Sequence, residues 1–210
     1  MTELSRPMHF FPIDKNHLSG MARPGFGHSS HESPKKPLSE PTLREIEATL
    51  IYLQENGYRC LISLGSSLYR SHDDHIQQVW ERLGGEFHWI PNEDHAVEKH
   101  FKLGSGPTAR KIHDCVTKSS GKKTALYCGE GTGRTGTYAI AYLLYKNPKL
   151  TVDEAFKKIH TAMFADRSPH SPTQLRDELT DNGGFAALTE YAERFVSSPA
   201  LAKRKPRRKP

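Results

Sequence analysis

The residues best equipped for chemistry crowd into one stretch, LYCGEGTGRTGTYAIAYLL, positions 126–144. Cys128 is a soft nucleophile, and Arg134 is a planar cation separated from it by five residues, Gly129, Gly131 and Gly133 among them. A short apolar strand runs into this loop and an apolar helix leaves it. That order builds a cradle for an anion, because the N–H groups and the dipole at a helix start both favour negative charge. A loop of this length can curl so that the N–H groups of Gly129, Glu130, Gly131, Thr132 and Gly133 converge with the Arg134 fork on one phosphate. Arginine suits the task better than lysine, since its fork bonds two phosphate oxygens at once. Gly131 and Gly133 permit the backbone angles that aim successive N–H groups inward. The same positive surroundings favour a thiolate over a thiol, and a thiolate beneath a bound phosphate is a nucleophile in line with phosphorus.

Two other phosphate loops fit less well. The Walker-type nucleotide loop needs four residues between its glycines and a lysine before Ser or Thr. Here Gly129 and Gly133 enclose three residues, and Arg134 stands in the lysine's place. Gly131, Gly133 and Gly136 do spell the dinucleotide fingerprint GxGxxG, between a strand and a helix. Its acidic partner should end the next strand about 20 residues on. Asp153 lies near that distance but inside a capping box that starts a helix, and this reading leaves Cys128 and Arg134 idle.

Cys-x5-Arg-Thr-Gly between a strand and a helix resembles the signature of the cysteine-dependent protein phosphatases, and GxGRTGT is similar to the small dual-specificity type. The resemblance spans about residues 17–195 and is strongest over 124–146. It implies catalytic roles for Cys128 as nucleophile, Arg134 as phosphate clamp, and Asp94 as general acid. Asp94, in WIPNEDHAVEKHF, lies 34 residues before Cys128 and just after an expected strand. Glu93 is adjacent, and the choice of Asp94 rests on the resemblance alone. Thr135 would stabilise the departing thiolate, although its place equally suits a helix cap. Gln174, 46 residues after Cys128, resembles a glutamine that orients the hydrolytic water in part of the wider superfamily; a glutamine on a surface helix is the plainer reading. LSGMARPG resembles the family's opening segment, in which Arg23 would face the pocket rather than solvent. The family usually has histidine before its cysteine, and here that position is Tyr127, which removes one group that helps to hold the thiolate.

The elements that must position these residues alternate. Helices are expected over 41–57, 73–85, 107–119, from the glycine loop to Lys146, 151–164, 171–180 and 185–196. Strands are expected over 58–65, 86–92 and 123–128, with a short one near residue 17. Thr151 and Glu154 stand in capping-box positions. The pattern implies one α/β domain with a mainly parallel sheet of about four or five strands flanked by helices. Residues 1–16 read as a leader, 17–197 as the phosphatase domain and 198–210 as a tail without structure of its own.

The chain has 210 residues and a formal net charge of +6. Six of its 30 Lys and Arg residues fall in 203–210, so the remaining 24 match the 24 Asp and Glu. The basic balance therefore belongs to the tail. Such a tail suits an acidic partner, whether nucleic acid, a membrane surface or an import receptor. The three cysteines suggest no disulfide framework, residues 1–16 do not read as a classical secretory signal, and the most apolar expected helix is too short to span a bilayer. A cytoplasmic location is expected, or a nuclear one if the tail is an import signal. Among 12 histidines, His28 and His31 share a loop but complete no zinc-ligand spacing. His88 reads as partly buried or on the surface, and Cys60 and Cys115 as buried thiols. Neither metal nor cofactor is expected.

The expected activity is hydrolysis of phosphomonoesters on protein substrates through a cysteinyl-phosphate. No segment resembles the aromatic loop that deepens the pocket of strict phosphotyrosine enzymes, so both phosphotyrosine and phosphoserine or phosphothreonine are expected to fit. Glu130 in the cradle weighs against heavily phosphorylated inositol rings and lipids. An RNA 5′-phosphatase would suit the basic tail, and a phosphate-binding pseudophosphatase would suit Tyr127.

Overall fold

A computed structural model describes residues 6–15, 17–29, 36–91, 106–118, 122–165 and 184–193. Their strands form a five-stranded sheet, β1 (Phe11–Asp14), β2 (Leu18–Met21), β3 (Tyr58–Ser63), β4 (Glu86–Trp89) and β5 (Lys123–Tyr127), in the order β1-β2-β5-β3-β4. β1 runs antiparallel to β2, and every other pairing is parallel. This is the mainly parallel α/β sheet expected from the sequence.

Helices cover both faces. On one side lie α1 (Glu40–Glu55) and α2 (Arg70–Arg82), whose Ile46, Leu50, Leu53, Ile76 and Trp80 pack on Met21, Leu61, Ala125 and Tyr127. On the other lie α3 (Gly106–Lys118), α4 (Gly133–Lys146), α5 (Val152–Phe164) and α6 (Gly184–Tyr191). Their Ile112, Tyr138, Ile140, Ile159 and Leu188 pack on Cys60, Ile62, Leu126 and Cys128. Two covered faces explain why β5 reads as a continuous buried run after Lys123. Helix starts are set locally. The Ser39 hydroxyl caps α1 by accepting from Thr42 N at 3.4 Å. The capping box of α5 is complete: Glu154 N donates to Thr151 Oγ1 at 3.2 Å and Thr151 N to Glu154 Oε2 at 2.8 Å.

Two expectations need correction. The supposed leader contributes the edge strand β1, which buries Phe11 and Ile13 and points Pro12 outward. Proline is tolerated there because an edge strand leaves one row of N–H groups unpaired. The helix expected to begin at Asp73 begins at Arg70 instead, so Asp73 falls within its first turn and is fully buried. The expected helix at 171–180 and the tail at 198–210 lie outside the described residues. Among the described residues, no helix is long and apolar enough to cross a membrane.

Candidate active site

Parallel strands release their chains at the same edge of a sheet, and ligands of open α/β sheets gather there. β5 lies between β2 and β3, so three strands deliver Arg23, Leu64 and Cys128 to one place. The loop from Cys128 is stitched to both neighbours. Tyr127 O accepts from Leu64 N at 2.7 Å, and Gly129 O accepts from Arg23 N at 2.9 Å. His9 Nδ1 lies 2.6 Å from Glu130 O, which ties the segment before β1 to the same loop.

Gly131 takes a left-handed φ of +85° and packs on the turn that ends β2. A side chain there would collide with the backbone of Met21 and Ala22. Glycine is therefore needed twice over, for the angle and for the approach. Helix α4 then opens at Gly133, with Thr132 as its N-cap. Its first turn carries Arg134, which is buried and donates from Nη1 to Leu64 O at 3.0 Å. The guanidinium is thus fixed by the end of β3 while its chain belongs to the helix start. Cys128 is also buried, at the end of β5. Thr135, not a cap but the third residue of α4, is fully buried, and its Oγ1 makes no hydrogen bond among the described residues.

The structure therefore brings together Cys128, Gly129, Glu130, Gly131, Thr132, Gly133, Arg134 and Thr135 as one loop and helix start. Asp94 and Gln174 lie outside the described residues. The chain leaves β4 at this same edge, where Ile90 N donates to Ser63 O at 2.8 Å.

Arg23 joins the site, as the opening-segment resemblance implied. It is buried, and its guanidinium carbon lies 4.5 Å over the Tyr69 ring, a close cation–π distance. Burial pushes its pKa below the usual arginine range, while Asp73, Tyr127, Tyr69 and Cys128 pull it back up.

Asp73, Ser63 and Tyr69 were not singled out by sequence reasoning. Side chains alternate along a strand, so with Cys128 facing α4, Tyr127 points to the other face. There its hydroxyl donates to Asp73 Oδ1 at 2.7 Å, and Ser63 Oγ donates to Asp73 Oδ2 at 2.8 Å. Ser63 Oγ in turn accepts from Gly65 N at 3.0 Å. Tyr127 is thus no vacant histidine position; it is one end of a buried network that fixes the Ser63–Gly65 turn behind Arg134. Burial raises the Asp73 carboxyl above its usual range, opposed by the two hydroxyl donors, Arg23 and Arg70. Burial, with Asp73 adding to it, raises the Tyr127 phenol well above its usual value. The only signal in the sequence is a serine that ends the buried apolar run Cys60–Ile62.

The fold recurs in solved phosphatases. The structure of Tk-PTP, in a glycine-to-alanine mutant form, matches with a TM-score of 0.52 at 19% identity, covering 88% of this chain and 95% of that one. Kinase-associated phosphatase, with its catalytic-site cysteine replaced by serine, matches with a TM-score of 0.55 at 15% identity, covering 87% and 98%. Pseudomonas aeruginosa TpbA, in a cysteine-to-serine form complexed with phosphotyrosine, matches with a TM-score of 0.55 at 12% identity, covering 89% and 91%. No protein-family model and no curated protein matches the sequence.

Proposed function

We propose that this chain, which has the fold of the tyrosine and dual-specificity phosphatases, hydrolyses phosphomonoesters on protein side chains through a cysteinyl-phosphate. The observation that carries the reading is the meeting of Cys128, the buried Arg134 and the opening of α4 at the end of β5. A phosphate held there faces the fork of Arg134, the loop amides and the positive end of a helix of 14 residues.

In the first step the Cys128 thiolate attacks phosphorus, and the bond from phosphorus to the leaving oxygen breaks. Asp94 gives that oxygen its proton, which is worth about 10²–10⁴ in rate. Arg134 and the loop N–H groups hold the three equatorial oxygens, where charge is greatest. In the second step Asp94, now a carboxylate, takes a proton from a water that attacks phosphorus. The S–P bond breaks, phosphate leaves and the thiolate returns. Gln174 orients that water, and the Thr135 hydroxyl donates to the returning thiolate. The buried Oγ1 of Thr135, without a bond among the described residues, supports this role. Arg23 beside Cys128 adds positive charge at the pocket wall. The phosphotyrosine complex of TpbA makes aryl phosphates the natural first substrates; acceptance of phosphoserine and phosphothreonine rests on the absence of a pocket-deepening segment in the sequence.

The test is hydrolysis of a small aryl phosphate from pH 5 to 8, with chelator and reductant present. Turnover that disappears in Cys128→Ser supports the reading. Turnover that persists in that variant overturns it, and vanadate binding without turnover would make the cradle a phosphate reader.

A further inference from the structure

At the other end of β3, a second set of reactive side chains comes together. Cys60 and Glu86 are direct partners across the parallel β3–β4 ladder. His88 stands two residues further along β4, on the same face because side chains alternate. A sulfur of Cys60, a carboxylate oxygen of Glu86 and a ring nitrogen of His88 all lie within 4.8 Å of one another. Among the described residues, no other three His, Cys, Asp or Glu side chains converge in this way. Cys60 pairs with Thr124 on β5, four residues before Cys128, so the cluster sits about 13 Å along the sheet from the phosphate loop.

The local geometry is unusual for a plain ion pair. His88 Nε2 is buried and 2.8 Å from Glu86 Oε1, yet the two are not aligned as a hydrogen bond. Helix α3 covers this face, and its Cys115 packs, partly buried, against the core cluster that contains Cys60. Glu86 is largely exposed and Cys60 is not, so the cluster opens to solvent on one side and is closed on the other.

We propose that Cys60, His88 and Glu86 form a three-ligand site for a thiophilic divalent metal ion, Zn²⁺ above all, with the fourth position left to solvent on the Glu86 side. A sulfur and an imidazole select zinc-like ions over calcium or magnesium, which take oxygen ligands. Tetrahedral zinc with bonds of about 2.0–2.3 Å sets ligand atoms about 3.3–3.8 Å apart. The cluster need contract by only about 1 Å from its 4.8 Å span, within reach of side-chain adjustment. Binding deprotonates the Cys60 thiol and releases its proton to solvent. The ion would fasten the edge strand β4 to β3. Its role is structural and independent of the chemistry at Cys128.

The test uses the full-length chain, reduced and stripped of metal, titrated with Co²⁺ and then displaced by Zn²⁺. One equivalent of Co²⁺ is expected to give sulfur-to-cobalt charge-transfer absorption, and Zn²⁺ to raise the melting temperature. Cys128→Ser should leave both effects intact. Cys60→Ser should abolish the absorption, and His88→Ala, at the partly exposed edge where folding is least at risk, should weaken binding by at least tenfold. No stoichiometric binding would overturn the proposal. So would absorption that survives Cys60→Ser, or binding lost only in Cys128→Ser, which would place the metal on the reactive thiol.

Discussion

Gly131→Ala is a sharp test of how the phosphate loop is built. At φ +85°, alanine meets the left-handed penalty of about 1–2 kcal/mol. Space is the larger problem. The new methyl would lie 2.5 Å from Met21 O and closer still to Met21 C and Ala22 N, where ordinary contact begins at 3.4 Å. All three atoms are backbone, so none can swing aside as a side chain would. The loop must retreat from the end of β2 by about 1 Å, a displacement for which a catalytic geometry loses about 10²-fold in rate. Gly129→Ala is the internal control. Its methyl meets nothing nearer than Arg134 Nη2 at 3.7 Å, so stability should hold or rise by up to about 1 kcal/mol. The assay is kcat/KM on an aryl phosphate for the two variants and the parent, with urea unfolding alongside. Gly131→Ala within threefold of the parent, at unchanged stability, would refute the packing of the loop on β2.

Three further outcomes follow from the same geometry. Tyr127→Phe removes a hydroxyl donor from a buried carboxylate and should cost about 1.5–3 kcal/mol of stability; a variant as stable as the parent in urea would contradict the network. The raised carboxyl of Asp73 binds its proton more tightly in the folded chain than in the unfolded one. Its contribution to stability is therefore full below the ordinary carboxylate value of about 3.9 and declines as pH rises through the raised native value. Urea midpoints from pH 4 to 7 should show that decline in the parent and a flatter profile in Asp73→Asn. Asp94→Asn should lower kcat by about 10²–10⁴, more for alkyl phosphates than for nitrophenyl phosphate, whose leaving group needs no proton; equal losses on both would remove Asp94 as the acid.

What the sequence disclosed was mostly local. The order of glycines, Cys128 and Arg134 pointed to a loop that runs into a helix start, because the two are neighbours in the chain. The helices of residues 40–55 and 152–164 were visible in their apolar spacing and caps, and the buried strands in their apolar runs. What stayed hidden depends on partners far apart. β1 is four residues long and contains Pro12, too short to outweigh a proline without knowing that it forms a sheet edge. Asp73 in SHDDH passes for an ordinary helix start, and only the packing of α2 on Tyr127 shows that its carboxylate turns inward. Tyr127 itself read as a departure from the family because the chain does not display which face its neighbours occupy. Cys60, Glu86 and His88 needed the register of two parallel strands, which no spacing within one strand reveals.

The central claim is that phosphate is carried covalently on Cys128, and a rapid-quench experiment tests it most directly. The protein is mixed with an excess of aryl phosphate, quenched within one turnover and digested, and the Cys128 peptide is analysed by mass spectrometry. The account predicts one phosphoryl group on Cys128 that forms as the phenol is released and decays as free phosphate appears. Steady turnover with no phosphoryl group on Cys128 at any time, or with the group on another residue, would contradict it.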